Sequence, residues 1–136
     1  MPEHAERERI ARALRQSPAA AIDLPTGVGF CMLIAAACRA KVGPFDVESF
    51  PRGYGEENDF CMRAAVAGFR NVLCPNAYVA HEGGVSFSEA TQALMKAGAE
   101  RLIAKHPSYD AEVAAWIAAD PAQSRRTQVS AILAQG

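Results

Sequence analysis

The sequence predicts an α/β domain in which a few short strands are packed by helices and followed by a helical tail. Residues 28–34, VGFCMLI, form a continuous apolar run of strand length, which is typical of a strand buried on both faces, although periodicity alone leaves a buried helix open. Residues 71–74 and 77–80 are two further strand-like runs, separated by Pro75 and Asn76. From residue 86 onward, helix-cap and proline signals divide the chain into three helices.

The predicted elements divide the chain into three parts. Residues 3–16 indicate a strongly solvated helix with one thin apolar stripe, formed by Ile10 and Leu14. A second, short helix is predicted from residue 35 to residue 42, where Gly43 and Pro44 end it. We therefore divide the chain into a peripheral N-terminal helix (1–20), a central unit (21–87) and a helical tail (88–136).

Composition indicates a single soluble globular domain. The 136 residues are 50% hydrophobic and 21% charged, and the net charge of −1 provides no overall field that would attract nucleic acid or an anionic membrane. The four cysteines form no Cys-x-x-Cys pair and lie among apolar neighbours, so we expect reduced core thiols. There is no apolar run of membrane-spanning length and no signal-peptide pattern, so we expect a cytoplasmic protein without a transmembrane segment.

A glycine turn followed by acids is the most unusual stretch of the sequence. Residues 53–60, GYGEENDF, place three carboxylates in the first turn of a helix that we predict from Glu56 to Gly68. Acids at a helix start stabilise the helix by about 0.3–1 kcal/mol each, so this stretch also has a purely structural explanation. Phe60 and Ala64 share the apolar face of this helix, and Asp59 can pair with Arg63 one turn away.

A histidine follows the last of the strand-like runs. His81 comes directly after residues 77–80, and ligands gather at the carboxyl ends of strands in open α/β sheets. We therefore expect His81 to lie where chemistry is done, with a structural or solvent-facing histidine as the alternative.

The order of several motifs resembles the C-terminal half of a family 2 glycosyltransferase catalytic domain, of the inverting kind. The resemblance covers roughly residues 24 to 87 and implies an incomplete GT-A (Rossmann-like) fold. It implies transfer of a sugar from a nucleotide-sugar donor to a hydroxyl of a saccharide or lipid-linked acceptor, with a divalent metal (Mn or Mg) on the diphosphate. The motifs are GFCMLI at 29–34, VGPFD at 42–46, GEENDFCMR at 55–63, GFRNV at 68–72 and VAH at 79–81.

The resemblance also implies roles for individual residues. The family's acidic pair falls on Glu56 and Glu57, its following aspartate falls on Asp59, and its strand-end histidine falls on His81. Glu57 is therefore the expected catalytic base, with Glu56 and Asp59 as alternatives, and His81 is the expected metal or diphosphate ligand. A base that removes the proton from an attacking hydroxyl is typically worth about 10² to 10⁴ in rate.

The sequence also departs from the family pattern. Alanines at 35–37 stand where members often carry a basic pair, no Asp-x-Asp motif occurs, and 23 residues precede Leu24 where about a hundred are expected. We therefore expect a fragment that holds the acceptor side and the base but not the donor, and that is inactive alone. The alternatives are a binding or assembly module, or a degenerate remnant, that self-associates as a homo-oligomer through an exposed sheet edge. A metal-dependent hydrolase that uses the three acids and His81 is a further alternative.

Overall fold

The computed structural model describes residues 4–17, 19–51, 54–81 and 89–134. Over these ranges the chain is mainly helical, with six α-helices, a short 3₁₀ helix at Gly29–Cys31 and one two-stranded sheet. The elements are α1 (His4–Gln16), β1 (Ile22–Asp23), α2 (Ala36–Val42), α3 (Glu56–Val66), β2 (Val72–Leu73), α4 (Glu89–Lys105), α5 (Tyr109–Ala119) and α6 (Gln123–Ala134).

The predicted α/β, GT-A (Rossmann-like) fold is wrong. The only sheet in the described part of the chain is the antiparallel pair of β1 and β2, in which Ile22 lies opposite Leu73. Residues 28–34 form no strand, and neither do residues 77–80. A strand that is buried on both faces requires neighbouring strands and covering helices, and two strands of two residues each provide neither. Most of the apolar run is consequently exposed, with Leu33 fully accessible to solvent, whereas Met32 and Ile34 are partly buried.

The N-terminal helix is anchored more firmly than its sequence indicates. Ile10 and Leu14, the predicted apolar stripe, are 0% and 4% exposed, and α1 packs against α6. Arg125 of α6 donates hydrogen bonds to the Ser17 hydroxyl at 3.0 Å and to the Asn76 side-chain oxygen at 3.0 Å. The two ends of the described chain are thereby held together.

A small apolar core joins α2 to α3. The buried side chains of Cys38, Phe60 and Ala64 form its centre, and the partly buried Ile34, Val42 and Phe69 pack around it. The prediction that Phe60 and Ala64 share a buried face is confirmed. This core fixes the orientation of α3, and therefore the direction in which its first turn points.

Two glycines allow close packing at the start of α3. Gly55 has a φ of 132°, and a β-carbon there would lie 2.7 Å from a ring carbon of Phe50. A β-carbon at Gly98 of α4 would overlap the carbonyl oxygen of Tyr54. The backbone at Tyr54 can therefore approach α4 only because Gly98 carries no side chain, and Gly55 leaves room for the Phe50 ring.

Replacing Gly98 with alanine is expected to destabilise the protein by about 1–3 kcal/mol, because the added methyl group meets backbone that cannot move freely. Alanine in place of a helical glycine would otherwise stabilise the helix by about 1 kcal/mol. The free energy of unfolding can be measured by urea denaturation. Ala99→Gly, at an exposed position of the same helix, calibrates the helix-propensity effect. An increase in stability for Gly98→Ala would contradict the close approach.

The C-terminal helices complete the structure. The indole nitrogen of Trp116 in α5 donates a hydrogen bond to the carbonyl oxygen of Asp23 at 2.6 Å, which ties α5 to β1. Asp120 ends α5 in the left-handed conformation. No helix in the described ranges is long and apolar enough to cross a membrane.

All four cysteines are free, but only half of them match the expected core thiols. Cys38 and Cys61 are buried, whereas Cys31 and Cys74 are exposed. The two exposed thiols lie in or beside the segments that were predicted as buried strands, and these segments have no cover here.

Candidate functional site

The three predicted acids lie in the first turn of α3, as expected. A turn at Tyr54 (φ 64°) and Gly55 (φ 132°) precedes them, both in the left-handed half of conformational space. The predicted first glycine of this turn, Gly53, lies outside the described residues. The three acids share one helix turn but differ sharply in their surroundings.

Asp59 is the centre of a buried ionic cluster. Its side chain is 0% exposed, and its Oδ2 accepts a hydrogen bond from Nε of Arg63 at 2.8 Å. Its Oδ1 lies 2.7 Å from Nζ of Lys105 and 2.9 Å from Nε2 of His106, both at the C-terminal end of α4. Both carboxylate oxygens are thus occupied, and the predicted pairing of Asp59 with Arg63 is confirmed.

The cations of this cluster also bind the loop after α2. Arg63 donates to the carbonyl oxygens of Val42 at 2.8 Å and Pro44 at 3.0 Å. Lys105 donates to Oδ2 of Asp46 at 2.6 Å. The cluster therefore joins α3, α4 and the segment between α2 and α3.

The electrostatics of the cluster favour the charged forms of Asp59, Asp46 and Lys105. Burial alone raises the pKa of Asp59, but the hydrogen bonds from Lys105, His106 and Arg63 together outweigh it, so the pKa lies below its usual value. The Lys105 and Ser49 hydrogen bonds hold the pKa of Asp46 well below its usual range. Burial lowers the pKa of Lys105, but its two carboxylate partners outweigh burial and raise it.

The stability of the folded protein is expected to fall both at low pH and at high pH. A carboxylate with a lowered pKa stabilises the folded chain above its unfolded value near 4, and this contribution is lost as the pH falls through the folded value. Lys105, with a raised pKa, stabilises the folded chain below about 10.4, and this contribution is lost as the pH rises further. Melting temperatures from calorimetry should therefore be highest near neutrality. A melting temperature at about pH 3 equal to that at pH 7 would contradict the cluster.

Glu56 and Glu57 have environments unlike that of Asp59. Each has one carboxylate oxygen, Oε2, that is buried and has no hydrogen-bond partner among the described residues. Glu57 lies against the 3₁₀ helix, where a β-carbon at Gly29 would be 3.7 Å from its carboxylate carbon. An unpaired buried carboxylate oxygen is costly, so such atoms frequently mark functional positions.

Tyr109 is the first residue of α5 and is partly buried. Burial is the main cause that raises the pKa of Tyr109, and the charges of Asp110 and Glu57 raise it further. The phenol therefore stays protonated at neutral pH and can donate a hydrogen bond. On the same side, the hydroxyl of Thr26 donates to the side-chain oxygen of Asn58 at 2.7 Å, and the amide of Gly27 donates to Sγ of Cys61 at 3.3 Å.

His81 is exposed at the end of residues 77–81. Its ring stacks on Phe30 with the ring centroids 4.5 Å apart. Its predicted position at a strand end is wrong, because residues 77–80 form no strand.

The described residues do not form a metal-binding set around His81. In these ranges, no group of three or more His, Cys, Asp or Glu side chains could hold a metal ion. A divalent metal at His81, and with it the metal-dependent hydrolase, therefore stays a prediction.

Two shallow depressions, of about 280 and 400 Å³, border Lys105 rather than Glu57. Asp46 and Arg63 line the larger depression, and Arg101 lines the smaller one. Neither is lined by Glu56 or Glu57. Neither depression therefore marks the surface beside Glu57.

Sequence reasoning missed four residues of this region: Asp46, Lys105, His106 and Tyr109. A lysine and a histidine in the last turn of a helix suit a negative partner, and this is the local signal that Lys105 and His106 offered. His106 lies 47 residues from Asp59, and no periodicity links positions so far apart.

Comparison of the chain with protein-family models, with curated proteins and with solved structures finds no match in any of the three.

Proposed function

We propose that this chain carries the acceptor side of an inverting sugar transferase, with Glu57 as the catalytic base. The observation that supports this most directly is the buried, unpartnered Oε2 of Glu57 at the start of α3. The proposal is limited to the acidic first turn of α3 and its chemistry. It does not include a GT-A domain, which the observed fold contradicts.

The surroundings of the three acids separate their roles. Asp59 has both oxygens in ion pairs and a lowered pKa, so it is a poor proton acceptor and instead fixes α3 against α4. The role of base is thereby limited to Glu56 and Glu57, each of which has a free oxygen.

Glu57 is favoured over Glu56 by its neighbours. The glycine at position 29 leaves space beside its carboxylate, where a β-carbon would only reach ordinary contact distance. A carboxylate oxygen without a partner can accept a hydrogen bond from a saccharide hydroxyl, which itself both donates and accepts hydrogen bonds.

The proposed reaction is a single displacement. The acceptor hydroxyl oxygen forms a bond to the anomeric carbon while the bond from that carbon to the diphosphate oxygen breaks. The hydroxyl proton passes to Glu57, and the nucleoside diphosphate leaves with the electron pair. The configuration at the anomeric carbon is inverted because attack and departure occur on opposite faces.

A transfer assay tests this function. The protein, expressed together with any in-frame sequence that its gene carries upstream of Met1, is incubated with a panel of nucleotide sugars and saccharide acceptors. Products are detected by mass spectrometry, and their anomeric configuration is determined by nuclear magnetic resonance. We expect transfer with inversion. Transfer with retention of configuration, or no transfer from any donor, would contradict the proposal.

A further inference from the structure

Residues 26–29 run along α3 on the side that carries the proposed base, and we call them the cover segment. The hydroxyl of Thr26 donates a hydrogen bond to Oδ1 of Asn58 at 2.7 Å. The backbone amide of Gly27 donates to Sγ of Cys61 at 3.3 Å. Asn58 and Cys61 are three positions apart on α3, so the two bonds hold the segment along one face of the helix.

The cover segment continues to the proposed base itself. A β-carbon at Gly29 would lie 3.7 Å from the carboxylate carbon of Glu57 and 3.8 Å from each of its β- and γ-carbons. Gly29 therefore lies beside the whole length of this side chain, whose Oε2 is buried. Backbone so close to a long side chain limits the rotamers that this side chain can adopt.

Asn71 holds the start of the cover segment in place. Its side-chain nitrogen donates to the carbonyl oxygen of Pro25 at 3.1 Å and to that of Cys61 at 3.0 Å. One amide group thus joins the residue before the cover segment to the backbone of α3. The segment is attached to α3 before, at and after Thr26, by polar contacts of known direction.

We propose that Thr26 is a positioning residue for Glu57, because its hydrogen bond to Asn58 holds the cover segment on α3 and the segment holds the carboxylate in one orientation. This inference rests on the proposed function of Glu57 as the base. A base must lie within about 2.6–3.2 Å of the group whose proton it accepts, so a fixed orientation favours the productive geometry. A glutamate freed from the cover segment would distribute over several rotamers.

Thiol labelling tests the cover segment without any measurement of activity. Cys61 is 1% exposed, and burial raises the pKa of its thiol, so iodoacetamide should label it slowly in the wild-type protein. Thr26→Val removes the hydroxyl and should loosen the cover segment, so we expect Cys61 to be labelled at least about fivefold faster. Mass spectrometry follows each cysteine separately. Cys38 lies in the core between α2 and α3, and its unchanged labelling rate is the internal control for unfolding.

Kinetics in the transfer assay test the action on Glu57. We expect Thr26→Val to lower kcat at least about fivefold with little change in the KM for the donor, because the base is misplaced while the donor is bound as before. Thr26→Ser keeps the hydroxyl and should retain most of the turnover. Thr127→Val, at an exposed position of α6, is the matched control and should behave as the wild type does. Circular dichroism verifies that all variants are folded.

A double substitution separates a positioning role from a general loss of structure. In the Glu57→Gln protein, Thr26→Val should cause no further loss of turnover, because the group that it positions is already absent. Equal losses in the wild-type and Glu57→Gln proteins would overturn the proposal, as would unchanged labelling of Cys61 in Thr26→Val. Absence of transfer by the wild-type protein would contradict the proposed function, whereas the labelling of Cys61 decides the cover segment in either case.

Discussion

Replacing Asp59 with asparagine is expected to lower the free energy of unfolding by about 3–5 kcal/mol. Asparagine keeps the shape of the side chain but removes the charge that Arg63, Lys105 and His106 share. The Asp59 side chain is 0% exposed, so water cannot take the place of its charge inside the cluster. A loss of this size is a large fraction of the about 5–15 kcal/mol that stabilises an ordinary domain.

Urea denaturation measures the effect, with Asp23→Asn as the matched control. Asp23 also forms a two-bond ion pair, with Arg70, but the two side chains are 67% and 68% exposed. Solvent screens such a pair, so its loss should change stability little. Equal effects for the two substitutions would show that burial does not strengthen the Asp59 cluster.

Replacing Glu57 with glutamine is expected to lower turnover in the transfer assay at least about a hundredfold. The amide has the same shape as the carboxylate but cannot accept the proton of the acceptor hydroxyl. Because the change removes an interaction that develops in the transition state, kcat should fall while the KM for the donor changes little. Initial rates at saturating and at limiting donor concentration separate the two.

Glu56→Gln is the control for this experiment, because Glu56 lies in the same turn and also has one buried, unpaired oxygen. We expect it to retain most of the turnover. If Glu57→Gln retains turnover and Glu56→Gln loses it, the base is Glu56. Retention of turnover by both variants would remove the carboxylates of this turn from the chemistry.

The helices could be predicted from the sequence because their signals are local. Gly43 ends α2 with its amide bonded to the Arg39 carbonyl oxygen, as the Gly-Pro order indicates. Asp120 ends α5, where a following proline was the signal. The acidic first turn of α3 was likewise evident from residue types alone.

The strands could not be predicted, because a strand exists only with a partner. Residues 28–34 have the composition of a buried strand, but whether they form one depends on what pairs with Leu33 and Ile34. In the described chain neither residue lies in a strand, and the run instead contains a 3₁₀ helix at Gly29–Cys31 and stays largely exposed. The GT-A fold that the resemblance implied is wrong for the same reason: the resemblance was carried by motif order, which does not supply strand partners.

The candidate site was predicted in part. The position of Glu56, Glu57 and Asp59 in one helix turn, and the pairing of Asp59 with Arg63, followed from spacings of three or four residues. The ion pairs of Asp59 with Lys105 and His106 could not be predicted from such spacings, since they depend on how α4 packs against α3. Local spacing thus finds the acids, and only packing distinguishes a structural acid from one with a free oxygen.

The hydrogen bond from the indole of Trp116 to Asp23 has a spectroscopic consequence. The chain contains one tryptophan, so all of its tryptophan fluorescence comes from the contact between α5 and β1. Separation of α5 from β1 would expose the indole to water and shift its emission to longer wavelength. The protein therefore carries an intrinsic optical probe of whether its C-terminal helices are docked.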